Sequence, residues 1–298
     1  MITYIGSKKR IVETILAHIP PATNFYDLFG GGGSITYHAL NYRNVFTGWE
    51  KIHYNELKPD IFNLMKWIYF DWDNAVNEIM NIYMSPVSLA EFNQIKSNYN
   101  PTNCDVKDTL KLLIYSFNLN MVRYCFNKED EALKLPIIEK LAKAIKKHGA
   151  EYANLRDFRV NWLKSKRAYY KQFYNTGHKR NKLTSSVVIR LQSLERLETI
   201  KNILSNEKLQ MSNLDYRNVP IKPDSVIYCD IPYYKSTIHY HSNFDHAEFF
   251  KWAKNNKHPV YFSNYQFETD FTCVVERQST CLQMGNKQRT ECLYWNGV

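Results

Sequence analysis

No stretch of the 298-residue chain approaches the roughly 20 consecutive apolar residues that a bilayer-spanning helix requires. The basic cluster Lys8-Lys9-Arg10 follows the short apolar N-terminal stretch instead of preceding it, the reverse of a secretion signal. The six cysteines are scattered, with no C-x-x-C pair. Reduced thiols are therefore expected, with no disulfide framework and no metal, in a soluble cytoplasmic protein. The G-x-G-x-x-G pattern is missing too, which argues against a dinucleotide pyrophosphate. Acidic residues are absent from Phe158 to Leu194.

That last gap lies in the most charged part of the chain. Residues 140–182 carry 13 Lys and Arg against only Glu151 and Asp157, more than the whole formal net charge of +10. Trp162, Tyr169, Tyr170, Phe173 and Tyr174 are interleaved with the cations. Clustered cations bind a polyanion by releasing its counterions, and rings among them can stack on bases. The individual rings read as well as a core stripe under a solvated face, but the charge block points to nucleic acid.

With 44% hydrophobic residues the chain is globular. Helical spacing runs through Ile11, Val12, Ile15, Leu16 and Ile19, and Pro20-Pro21 stops it. A short strand, Asn24 to Phe29, leads into Gly30-Gly31-Gly32-Gly33 and a helix from Ile35. Strand, glycine loop and helix open a doubly wound α/β sheet, with its ligand at the carboxyl end of the strands. Lys51–Tyr54 reads as the second strand, ending at Asn55-Glu56, and Asp60 to Ile68 as the next helix. The βα rhythm then lapses from about residue 67 to 185, where helices such as Thr109–Phe117 and Ile137–His148 are expected. It returns with a helix over Val187–Leu204 and strands at Val226–Cys229, Val260–Ser263, Cys273–Glu276 and Cys292–Trp295, the last two as an antiparallel pair.

Two constellations carry chemistry. The glycine run lets a ligand approach the backbone, and a carboxylate at the next strand end, Glu56 or its competitor Glu50, suits ribose hydroxyls. Asp230-Ile231-Pro232-Tyr233 follows an apolar strand with an acid, a rigid turn and a ring, a pocket for a planar amine. Taken alone it is also an ordinary strand end with a proline turn.

Tyr4-Ile5-Gly6-Ser7-Lys8, Phe29-x-Gly31-x-Gly33, Asn55-Glu56, Asp215-Tyr216, Asp230-Ile231-Pro232-Tyr233, Phe244-Asp245-His246, Ser263-Asn264 and Arg289-x-Glu291 occur in one order. In that order the chain resembles the Dam-type (D12 class, α-group) DNA adenine-N6 methyltransferases. The resemblance covers residues 1–66 and 190–298. It implies a Rossmann-like S-adenosyl-L-methionine-dependent catalytic domain there, and an inserted, mainly helical target-recognition domain over 67–189. It implies a cofactor site at Tyr4, Lys8 (on the cofactor carboxylate), Asp27, Phe29, Gly31, Gly33, Glu56 (on the ribose), Asp215 and Tyr216 (on the adenine) and Asp230. Catalysis falls to Asp230, Ile231, Pro232 and Tyr233, with Tyr233 stacking on an adenine flipped from double-stranded DNA. Arg123, Lys164, Lys166, Arg167, Lys171, Lys179, Arg180 and Lys182 are the expected DNA contacts. A solitary monomer is expected, with any cognate restriction endonuclease acting separately.

The sequence departs from the family at Ile231, where the tetrad has its first proline. The carbonyl needed there survives, but Asp230 loses the restraint that a following proline imposes. The segment Leu119–Asn127 only partly resembles the one with which Dam enzymes read GATC. An RNA adenine methyltransferase and a catalytically inactive DNA-binding homologue are the rival readings.

Overall fold

The computed structural model describes residue 8, residues 11–41, 49–116 and 120–129, five positions between 131 and 139, and residues 208–234, 244–281 and 287–298. Tyr4 and the seven expected DNA contacts from Lys164 to Lys182 lie outside the described residues, as does the expected helix Val187–Leu204 and nearly all of Ile137–His148.

By internal contacts the chain divides into two compact units, one joining Lys8–Leu57 to Asn206–Val298 and the other containing Lys58–Ser205. The first unit holds a seven-stranded sheet. Its strands are β1 (Asn24–Asp27), β2 (Lys51–Asn55), β3 (Leu209–Ser212), β4 (Ser225–Cys229), β5 (Val260–Tyr265), β6 (Thr272–Cys281) and β7 (Lys287–Trp295), in the order β3-β2-β1-β4-β5-β7-β6. The first five run parallel, and β7 lies antiparallel to both β5 and β6. Every residue of β1 and β4 is buried, as expected of parallel strands covered on both faces. The expected final pair is present, and both strands run well beyond their apolar segments. The sheet also contains β3, which the sequence reading did not anticipate.

Strand order reverses at β1, which has β2 on one side and β4 on the other. Such a switch point opens a crevice beyond the carboxyl ends of the strands. Helices α1 (Val12–Ala17) and α2 (Ser34–Asn41) belong to this unit. A later helix, His246–Lys254, is capped by Asp245, whose Oδ1 accepts from the Glu248 amide at 2.9 Å. It buries Phe249 and Ala253 in a core with Ile227, Cys229, Ile231, Phe262 and Tyr294.

The described part of the second unit is helical: α3 (Pro59–Phe70), α4 (Trp72–Met84), α5 (Leu89–Ser97) and α6 (Val106–Tyr115). Ser88 and Asp105 cap α5 and α6, accepting from the Glu91 and Lys107 amides. Buried Asp60 of α3 accepts from the Tyr99 hydroxyl at 2.9 Å, and Tyr99 also meets Thr109 of α6 at 2.8 Å. Among the described residues no helix is long and apolar enough to cross a membrane. Continuing in chain order, the helix His246–Lys254 is α7.

Candidate active site

The site is built from the loops that follow the parallel strands. After β1 the chain turns through Gly30, Gly31 (φ 48°) and Gly33 (φ 70°) into α2. Positive φ at Gly31 and Gly33 is a conformation side chains resist. Gly30 is required for another reason: a Cβ there would lie under 3.0 Å from three atoms of the Tyr54 ring. That ring is fully buried, and its hydroxyl donates to the Gly31 carbonyl at 2.7 Å. Gly31 N–H in turn donates to Glu56 Oε2 at 2.8 Å, which fixes the acid expected on a ribose against the glycine loop.

Asn55, fully buried at the end of β2, ties three loops together. Its Nδ2 donates to the carbonyls of Leu28 (3.1 Å) and Leu214 (2.9 Å), and its Oδ1 accepts from Leu214 N and Ser212 Oγ. In the sequence Asn55 stands out only as Glu56's neighbour, with no role of its own. A buried Asn at a strand end, with more hydrogen-bonding capacity than its own strand can satisfy, was the available signal.

Asp27 ends β1 and is buried, with Oδ2 accepting from both the amide and the hydroxyl of Thr36 at 3.1 and 2.7 Å. Burial pushes its carboxyl up to about 7, and the Thr36 hydrogen bonds oppose that rise. Its Oδ1, Ser34 Oγ at the start of α2 and Asn264 Nδ2 at the end of β5 are buried with no hydrogen-bond partner among the described residues. Buried polar atoms of this kind ordinarily find a water or a ligand.

Asp230 follows β4, and Lys8 Nζ lies 2.6 Å from its Oδ1. The same ammonium is 3.8 Å from Glu291 Oε1 of β7 and 4.6 Å from the centroid of the Tyr233 ring, over its face. The Tyr233 hydroxyl donates to Glu291 Oε1. Burial raises the Asp230 carboxyl, while Lys8 pulls it back down. Burial also holds the Tyr233 phenol well above its ordinary value, so it remains a donor. Lys8, expected on a cofactor carboxylate, is thus the counter-charge of Asp230 in this structure. Glu291, which had only been noted within a motif, joins Lys8 to Tyr233.

Ile231 points into the core, 2% exposed, among Leu28, Tyr216 and Phe249. Packing therefore supplies restraint to this peptide where the family uses a proline. His246 Nε2 donates to the Pro232 carbonyl at 2.7 Å, and the Tyr234 amide donates to Asn264 Oδ1 at 3.1 Å. Tyr265 meets the Tyr233 ring edge-on at 4.6 Å, and the Arg289 guanidinium covers Tyr265 at 4.7 Å. Phe29 packs on Tyr216, Phe244 and Phe249. Asp215 is occupied by Arg217, whose Nε and Nη2 donate to its two oxygens at 2.7 and 2.8 Å, and this contact holds the Asp215 carboxyl below its usual range. Arg123 is exposed in the helical unit. The structure thus gathers Lys8, Asp27, Phe29, Gly31, Gly33, Glu56, Asp215, Tyr216 and Asp230 to Tyr233 at one end of the sheet.

Among solved structures, two of the rRNA methyltransferase aviRa from Streptomyces viridochromogenes resemble the chain at 9% and 10% identity. They cover 99% and 96% of this chain and 87% and 82% of theirs, with TM-scores of 0.36 and 0.35, a likeness too slight to bear on substrate. A family model for D12 class N6 adenine-specific DNA methyltransferases matches residues 4–256, a span that includes the glycine loop, the Asp230 loop and the segment between them. The chain belongs to the D12 class N6 adenine-specific DNA methyltransferase family.

Proposed function

We propose that the methyl donor is S-adenosyl-L-methionine and that the acceptor adenine is flipped out of double-stranded DNA onto the Asp230 loop. The observation that carries this reading is a half-buried carboxylate, Asp230, paired with Lys8 and set beside the Tyr233 ring at the switch point of the sheet. When bound, the donor supplies an electrophilic methyl group on its sulfonium.

The donor set suits that molecule. Gly31 and Gly33 leave room along the main chain, and Glu56 would take the ribose hydroxyls. Phe29, Tyr216 and Asp215 would hold its adenine end, with Arg217 giving way at Asp215. Asp27 Oδ1 and Ser34 Oγ are unpaired polar atoms beside the glycine loop. Lys8 would meet the donor carboxylate, and until then it neutralises Asp230.

An adenine N6 amine is a weak nucleophile because its lone pair is delocalised into the ring. Asp230 accepts one N–H and the Ile231 carbonyl the other, which returns electron density to nitrogen as it becomes tetrahedral. His246 already takes the Pro232 carbonyl, which leaves Ile231 as the main-chain acceptor. Tyr233 holds the base by its face, fixed in place by Glu291. Positioning and preorganised charge carry the rate.

The basic block from Lys164 to Lys182, with Arg123, supplies the phosphate contacts in this reading. The test is incubation with labelled donor and an adenine-containing duplex, followed by nucleoside analysis. N6-methyladenine formed by the native protein but not by Asp230→Ala supports the proposal. Equal turnover by the variant refutes the role of Asp230, and no transfer from S-adenosyl-L-methionine by the native protein refutes the donor.

A further inference from the structure

At the β6 edge of the sheet, the β6–β7 ribbon brings together three side chains that no step above uses. The Sγ atoms of Cys273 and Cys292 and a carboxylate oxygen of Glu276 all lie within 4.8 Å of one another. Register explains how. Cys273 stands opposite Tyr294, Val275 opposite Leu293 and Glu276 opposite Cys292, so one extra residue is accommodated between Cys273 and Val275. In a regular strand, positions three apart face opposite sides of the sheet. The bulge rephases β6 and turns Cys273 and Glu276 to the face that carries Cys292. Bulges of this kind re-aim side chains and recur beside functional sites.

We propose that Cys273, Cys292 and Glu276 form a site for a soft divalent cation of the zinc class. Two thiolates and one carboxylate match the preference of such ions. Sulfurs bound to one tetrahedral ion sit about 3.8 Å apart, given metal–sulfur bonds of about 2.3 Å, a spacing compatible with ligand atoms all within 4.8 Å of one another. Cys292 is buried and Cys273 half-buried, while Glu276 is exposed and gives the ion an entry side. Cys273 now donates to the Val275 carbonyl at 3.2 Å, and metal binding would replace that contact. On binding, each thiol loses a proton to solvent and both sulfurs and the carboxylate bond to the ion, so two protons leave per ion. The ion would clamp β6 to β7 across the bulge.

The test uses the full chain, reduced and stripped with chelator, then titrated with cadmium and, separately, with cobalt. Thiolate-to-cadmium absorption in the ultraviolet should rise to a plateau at one ion per chain. Cobalt should give tetrahedral bands in the visible. Cys273→Ser should abolish the cadmium band, and Glu276→Gln should weaken binding by at least the roughly tenfold that loss of an outer partner costs. Neither position is buried, so both variants should fold, which circular dichroism checks. No band in the native protein, or a band that survives Cys273→Ser, overturns the proposal.

Discussion

Replacing Lys8 by Met leaves the Asp230 carboxylate without its cation, and the size of the effect follows from the geometry. At 2.6 Å and an effective dielectric of about 20, the Coulomb energy is about 6 kcal/mol, an upper limit. Breaking buried pairs costs about 3–5 kcal/mol, because the remaining charge is stranded. The Asp230 side chain is 21% exposed, so the lower end applies, about 3 kcal/mol. The sign is fixed by pH. Asp230 already has a raised folded pKa from burial, with Lys8 opposing. Without Lys8 it rises further, so stability is retained in acid, where the group is protonated folded and unfolded, and is lost as pH rises. Urea denaturation of the native protein, Lys8→Met, Asp230→Asn and the double variant at pH 4 and pH 8 measures this. A coupling energy of about 3 kcal/mol is expected at pH 8, and little at pH 4. Additive single effects at pH 8 would refute the pairing. Lys8→Met should also weaken binding of the methyl donor, whose carboxylate would lose its cation, read as a raised KM for the donor.

Asp27→Asn should become more stable relative to the native protein as pH rises from 4 to 8. The raised pKa of about 7 means the native carboxyl loses about 4 kcal/mol of stability through that window; a difference that stays flat with pH rules this out. Gly30→Ala should destabilise by about 1–3 kcal/mol through overpacking against Tyr54, read as a lowered melting temperature with weakened binding of the methyl donor. Glu291→Gln and Tyr233→Phe should each slow transfer about tenfold, near the lower range for a hydrogen bond to a charged group, and the double variant should be no slower than either. Neutralising Lys164, Lys166, Arg167 and Lys171 together should reduce the salt dependence of DNA affinity; an unchanged slope removes the basic block from the interface.

The strands that flank the switch point were legible because they are short apolar runs ending in chemistry: Val226 to Cys229 before Asp230, Asn24 to Asp27 before the glycines. Strand β3 was not. Its Leu-Gln-Met-Ser has one buried residue, at an edge, and four residues carry no usable alternation. The ends of β6 and β7 were missed because Arg277, Gln278 and Lys287 to Thr290 are polar and show no apolar alternation. Motif order singled out Lys8, Asp230 and Tyr233. It did not indicate that Lys8 rests on Asp230, since the two stand at opposite ends of the sequence and no local pattern encodes a pairing. Asn55 and Glu291 were given no role for the same reason, as their partners come from distant parts of the chain. The bulge at Cys273 is a property of register, which the cysteine spacing does not contain.

The strand order also sets a timetable for biosynthesis. Strand β1 lies inside the sheet, yet its neighbour β4 begins only at Ser225. At about 5–20 residues per second, the roughly 200 residues between them occupy the ribosome for about 10–40 s. For that interval the amide and carbonyl groups of β1 on the β4 side have no strand to pair with, and an open edge invites pairing with other chains. Chains stalled before Ser225 carry the glycine loop but not the acid that completes the site. A truncated product should therefore appear as aggregate and as substrate for proteolysis, never as a half-active enzyme.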